Sequence, residues 1–413
     1  MGGISASSFM AVASLLALLV GCEGEVSSGT AFAAGGEGGT THADSSNEPD
    51  AGAGGMAGSG ASGGAGGDRG SEATGGTPDG AGGQASSPPA DSVPMFVAQG
   101  HLGRTIISCD DGKTWVADQS ASEAWGYCND NDCDHDPGAG RGITWADGWF
   151  FATFGWGRPG QVIRSRDGVS WETVFEGRSF GGIVYGNGRL VAAHRTGLYS
   201  DDQGESWQEF GDVELTVWNV RDAAFIDHDG GRFIMTAHDG YSEIVVSRDG
   251  VSWTQPPSVP PNCGGGAYQG HILYGQGTIV MAREDGIVCY SKDGGETWTS
   301  KSIADAFRAN PVWTGSEFMV WNRGTLYRSA DGETWTQTPI VPSDIDLGAT
   351  AVAEGGTFVG VTNHWQQHYD AQIFYRSEDG VHWEALDATA YTGGHPIKLI
   401  AFGYGQPSEL CSP

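Results

Sequence analysis

The stretch SRDGVSW occurs twice, at Ser165–Trp171 and Ser247–Trp253. Five near copies accompany it: SCDDGKTW (Ser108–Trp115), SDDQGESW (Ser200–Trp207), SKDGGETW (Ser291–Trp298), SADGETW (Ser329–Trp335) and SEDGVHW (Ser377–Trp383). Successive tryptophans are 56, 36, 46, 45, 37 and 48 residues apart, about the length of one four-stranded propeller blade. Each copy reads as a turn between antiparallel strands. Ser and Asp oxygens accept hydrogen bonds from nearby N–H groups, Gly takes a φ that other residues resist, and Trp opens the next strand and packs into the blade.

This phrase resembles the Asp box of the sialidase-like (BNR-repeat) superfamily, and the resemblance covers roughly residues 94–405. It implies an all-β, seven-bladed Asp-box propeller. It also implies that the Asp box is a structural turn lying away from the ligand site.

Between the turns, alternating apolar and polar residues with Gly-containing turns give four strands per blade, as in GITWADG, WFFATFG, QVIRSRDG and SWETVFE of the second. The start of the globular region supplies only three: MFVAQG, RTIISCDDG and KTWVADQ. The C-terminus holds one spare, IKLIAFGYG (Ile397 to Gly405). A closed ring therefore predicts a first blade built from both ends of the chain. First and third strands of a blade run parallel, which brings Cys411 towards Cys109. Cys128 and Cys133 form the easiest local pair, leaving Cys263 with Cys289, although six cysteines allow fifteen pairings. The aromatics Trp145, Tyr185, Tyr274, Trp313 and Phe402 recur at one position of the first strand and are read as packing between blades.

Residues 1–21 read as a signal peptide with an apolar run from Phe9 to Val20, too short to span a bilayer. It ends in Leu19-Val20-Gly21-Cys22, which resembles a bacterial lipobox and makes Cys22 the candidate lipidation site. Residues 22–92 are Gly, Ala, Ser, Thr and Pro with scattered acids and lack the apolar surface needed to fold. They read as a disordered tether with a root-mean-square span of roughly 45 Å. The propeller is assigned residues 93–413. The expected address is the cell envelope, the outer membrane favoured by analogy, with the lipid as the only membrane contact. The formal charge of −30 argues against nucleic acid and anionic lipid as partners.

The second strand of each blade ends on the face opposite the Asp boxes, the face that carries the ligand site in the resembled superfamily. Candidate ligand-binding residues there are Trp156, Arg195, His238, Arg283, Trp321, Arg323, His364 and Trp365; Arg forks suit carboxylates and aromatic faces suit sugar rings. The starts of the first strands add Arg141, Trp218, Asn219, Arg221, Asp222, His271 and His395. Asp239, Glu284 and Asp285 are the weak catalytic candidates, because glycoside hydrolysis needs two carboxyls at a fixed separation. Solvated turn acids are the commoner reading. No Arg-Ile-Pro motif occurs anywhere and no Tyr-Glu pair can be assigned, so sialidase chemistry is not expected. The acids Asp130, Asp132, Asp134 and Asp136 alternate as in a calcium loop, without the Gly and closing Glu of an EF-hand. No other cofactor is required.

Together these residues predict a lipid-anchored, monomeric propeller that binds glycans or envelope partners rather than an enzyme. A glycan-degrading glycosidase or lyase is the first alternative, and a protein-binding scaffold or assembly factor the second.

Overall fold

The computed structural model describes residues 88–119, 138–156, 160–211, 213, 220–238, 242–263, 270–307, 309–362, 372–386 and 396–412. Apart from a short 3-10 turn at His101–Gly103, every regular element among them is a strand. The strands form seven antiparallel sheets, each a blade. In the order of the ring their innermost strands are Ile397–Gly405, Gly138–Ala146, Ile183–Gly186, Val220–Ile226, Gly270–Gly275, Val312–Trp313 and Leu347–Val352. Each lies beside the next, and Leu347–Val352 returns to Ile397–Gly405, so the ring is closed.

Closure follows the strand count. Ile397–Gly405 runs antiparallel to Val93–Gly100 along its whole length, from Val93 opposite Gly405 to Gly100 opposite Ile397. Thr105–Ser108 and Val116–Gln119 complete this first blade. A disulfide between Cys109 and Cys411, with Cα atoms 5.6 Å apart, ties the chain end to the turn after the third strand. The second described bridge joins Cys263 to Cys289, both fully buried.

In all seven Ser-Asp-Gly-Trp turns the Ser hydroxyl donates to the Asp carboxylate, which also accepts from the N–H of the residue before Trp. In the fourth, the Ser247 hydroxyl donates to Asp249 Oδ1 (2.9 Å) and accepts from the Gly250 N–H (2.8 Å). Asp249 Oδ1 also accepts from the Ser252 N–H at 2.7 Å. Burial alone would raise the Asp249 carboxyl; the N–H groups of Ser252 and Val251 and the Ser247 and Ser252 hydroxyls outweigh it and hold it at about 2. Asp379 is held at about 2 in the same way, with His382 among its donors. In the sixth turn the Thr334 N–H leads in lowering Asp331 to about 2.

Glycine is required here for two reasons. Gly250 has φ +71, and a Cβ on it would lie 2.9 Å from Val191 Cγ2 of the preceding blade. The turns therefore fasten each blade to its neighbour as well as linking two strands. A second device works nearer the axis. A Cβ on Gly403 or Gly275 would run into the ring of Trp145 or Trp313 on the next innermost strand, so two of the recurring aromatics do pack between blades.

One blade departs from the expected four strands. Val220–Ile226, Arg232–His238 and Ser242–Ser247 form a three-stranded sheet, and only an isolated bridge from Val246 to Thr254 marks the outer edge. Pro256 and Pro257 follow at once. They lack the N–H groups a fourth strand would donate.

Candidate functional site

In every blade the third strand leads into the recurring turn, and the first strand runs parallel to it. The first strands therefore begin on the opposite face, and a cavity of about 70 Å³ lies among their beginnings, with residues of all seven blades in its wall. Arg141, Asp222, His271, Asn310 and Thr350 supply polar groups; Ile183 and Leu399 are among the apolar ones. The strands crowd tightly at this level. A Cβ on Gly142 would lie 2.6 Å from the Ile183 nitrogen, and one on Gly182 2.9 Å from the Ala223 nitrogen, so side-chain-free positions are what let the ring narrow to a small mouth.

Backbone N–H groups fix Asp222. Ala223 donates to its Oδ1 at 2.8 Å and Ile272, from the next blade, to its Oδ2 at 3.0 Å. His271 Nδ1 lies 3.6 Å from the same Oδ2, beyond a good hydrogen bond but close enough for attraction when the ring is protonated. The acid is thus a brace between two innermost strands.

Bulges shape the opposite side of the mouth. Gln99 pairs with Leu399 and Gly100 with Ile397, which leaves Lys398 as the extra residue. In the next blade Phe154 pairs with Gly140 and Thr153 with Gly142, leaving Arg141. Arg221 is left over in the same manner between Val220 and Asp222. A bulge re-aims the side chain it frees. Burial, and then the neighbouring Arg141 charge, push the Lys398 ammonium down to about 8. The amide of Gln99 crosses to the Thr153 carbonyl at 3.1 Å, and that of Gln372 reaches the Ile397 carbonyl at 3.1 Å. Gln99 thus ties the second strands of the first two blades together, and Gln372 fastens the bulged strand Ile397–Gly405 to the seventh blade.

Several residues expected at the rim lie elsewhere. Trp321 is 1 % exposed, stacks edge-on against Trp383, and donates its Nε1 proton to the Gly380 carbonyl at 2.8 Å. It is a core residue that supports the turn of the next blade. Arg283 is 3 % exposed and forks onto Asp285, with Nε to Oδ1 at 3.2 Å and Nη2 to Oδ2 at 2.9 Å. That pair braces its own turn, and Asp285 also accepts from the Ile287 N–H. Glu284 is half-buried beside them, and its carbonyl accepts from the Phe307 N–H. Arg195 is half-buried and Arg323 is exposed in a tight turn at φ +40; neither is in the cavity wall. The side chains of Trp156, His238 and Arg221 lie outside the described residues. So do Trp218, Asn219, Asp239, His364, Trp365 and His395, the Cys128–Cys133 pair, Asp130, Asp132, Asp134, Asp136 and Cys22.

Of the sequence candidates, the structure gathers Arg141, Asp222 and His271, all from first-strand beginnings. Lys398, Asn310 and Thr350 went unrecognised. For Lys398 a signal existed: a lysine inside the apolar run Pro396-Ile397-Lys398-Leu399-Ile400 breaks the alternation of a central strand.

No protein-family model and no curated protein matches the chain. Among solved structures, YCF48 bound to D1 peptide is similar at 16% identity over 67% of this chain and 93% of that one, with a TM-score of 0.46. Virginiamycin B lyase from Staphylococcus aureus is similar at 12% identity over 61% of this chain and 85% of that one, TM-score 0.46. The GH74 xyloglucanase from Xanthomonas campestris is similar at 14% identity, covering 76% of this chain and 55% of that one, TM-score 0.48. Likenesses this distant do not bear on what the cavity binds; the chain itself is a seven-bladed β-propeller.

Proposed function

We propose that this chain is a recognition propeller of the cell envelope, held by a lipid on Cys22 and a tether, that binds a glycan or another envelope partner at the mouth opposite the Ser-Asp-Gly-Trp turns. The single observation that carries the reading is the cavity to which all seven blades contribute, with cationic, acidic, imidazole and amide groups on apolar walls. Few convergent polar groups in a concave apolar setting are the usual mark of a ligand site. Membership of the sialidase-like superfamily fits the seven turns and belongs to the same proposal.

Binding is favoured over hydrolysis by one feature of the cavity. Asp222 is its only carboxylate among the described residues, and that group is engaged by two backbone N–H groups. Glycoside hydrolysis needs a second carboxyl about 5–10 Å away.

The test is a glycan array probed with the full chain and with Arg141→Gln, alongside recovery of crosslinked envelope proteins. Saturable array signals weakened at least tenfold by the substitution support the reading. Turnover of a polysaccharide, or array signals indifferent to Arg141, would replace it.

A further inference from the structure

The face of the recurring turns carries a separate opening, away from the mouth and independent of the recognition proposed there. A pocket of about 270 Å³ lies between the turns of the fourth and fifth blades, with Arg232, Arg248, Asp249, Ser252, Thr254 and Glu296 in its wall. It opens at the reduced outer edge of the fourth blade, where Thr254 makes the one bridge.

The third blade shows what this pocket lacks. Arg189 and Arg232 occupy one position, the first residue of a second strand, immediately before the residue that pairs with the turn serine: Leu190 with Ser200, Phe233 with Ser247. Each sends Nη1 to a carbonyl in the turn of the next blade, that of Asp249 or Gly294. There the likeness stops. Arg189 forks its other two nitrogens onto the carboxylate of Asp201, the residue after the serine, with Nε to Oδ1 at 2.6 Å and Nη2 to Oδ2 at 2.8 Å. In the fourth blade that residue is Arg248. Arg232 is 5 % exposed, and its described bonds both leave from Nη1, to the Gly294 carbonyl and to Glu296 Oε1 at 2.6 Å; its Nε is buried with no partner. Only this blade sets cations at both positions. Where Arg166 and Lys292 follow their serines, Trp149 and Thr278 stand at the other.

We infer that the pocket takes an external carboxylate, which fills between Arg232 and Arg248 the place that Asp201 fills in the third blade. Arg248 is exposed and spends one nitrogen on the Asp229 carbonyl at 3.3 Å, so its fork has donors left for a ligand. The planar edge formed by Nε and Nη2 of a guanidinium matches both oxygens of a carboxylate. The two acids of the wall do not supply that group. Asp249 is taken by its own turn, through Ser247, Val251 and Ser252, and Glu296 meets Nη1, outside the Nε–Nη2 edge. They do limit the charge of the ligand: a dianion is repelled by both, so a single carboxylate is favoured over phosphate.

The full chain carrying ¹⁵N-labelled arginine is titrated with sodium acetate, with the peptide acetyl-Ala-Glu-Ala-amide, and with sodium chloride at matched ionic strength. The Arg232 Nε–H signal is assigned by through-bond correlation, and the Arg189 signal, already held by Asp201, marks the occupied position. Both carboxylates are expected to move the Arg232 signal saturably towards that position, and chloride to leave it in place. Arg248→Asp, which supplies the third blade's carboxylate from within, is expected to move the signal there without ligand and to weaken the response at least about tenfold, the scale of one charge-assisted hydrogen bond. Tighter binding of the peptide than of acetate identifies an acidic side chain of a partner as the ligand; equal or tighter binding of acetate identifies a free small carboxylate. No saturable movement with either carboxylate, an equal movement with chloride, or an unchanged response in Arg248→Asp overturns the proposal. The contrast of acetate with chloride in the unsubstituted chain decides it even if that variant fails to fold.

Discussion

Opening the ring at its covalent staple gives the most direct measure of how this fold is held. The Cys109–Cys411 bridge spans 302 residues and Cys263–Cys289 spans 26. Chain entropy lost by the unfolded state on crosslinking grows with the logarithm of the loop, giving about 5.7 kcal/mol for the longer loop and about 3.5 kcal/mol for the shorter at 25 °C. The difference, about 2 kcal/mol, is the quantity to test, because terms common to both bridges cancel. Two variants isolate it: Cys263→Ala/Cys289→Ala keeps the closure bridge, and Cys109→Ala/Cys411→Ala keeps the local one, with Cys128 and Cys133 replaced by Ser in both. Each is refolded with and without reductant and unfolded in urea. Reduction should cost the closure-bridge variant about 2 kcal/mol more, and should raise its urea slope more, since a chain freed of a long crosslink exposes more surface. Equal losses, or a larger loss from the local bridge, would refute the claim that closure is stabilised mainly through the unfolded chain.

Two further outcomes follow from the turns. Gly250→Ala should lower stability by more than Gly188→Ala: both glycines have positive φ, at +71 and +80, but only the Gly250 methyl would meet a neighbouring blade. The shared conformational cost is about 1–2 kcal/mol, and the excess at Gly250, read from paired thermal melts, measures blade contact; equal losses would show that the turns do not fasten adjacent blades. Acid should unfold the protein progressively. Asp249, Asp331 and Asp379 are held at about 2, below the unfolded carboxyl value of about 3.9, so the folded state binds fewer protons than the unfolded between these limits. Their stabilisation is complete above about pH 4 and is lost as pH falls towards 2; a urea midpoint that stays flat from pH 5 to pH 2 would contradict it.

The turns were legible because their chemistry is local. Ser, Asp, Gly and Trp act on backbone groups within a few residues, so seven copies announce seven turns, and seven turns with one spare strand announce a closed ring. The fourth blade's missing strand was legible too, in Pro256 and Pro257, although the repeat pattern overrode it. The ligand-facing residues were harder. Trp321 and Arg283 sit near second-strand ends as expected, yet direction depends on packing: one indole fills the space beneath Gly380, and one guanidinium folds back onto Asp285.

By itself the sequence determined the blade number and the borrowed first strand, since each follows from short-range bonding or from counting strands, whereas it left the cysteine pairing open among fifteen possibilities. Only the tertiary structure decided the mouth. Arg141, Asp222 and His271 come from three blades far apart in the chain, and Arg141 reaches the cavity wall at a one-residue bulge. A bulge is set by how one strand meets its neighbour, and no single strand's sequence contains that neighbour.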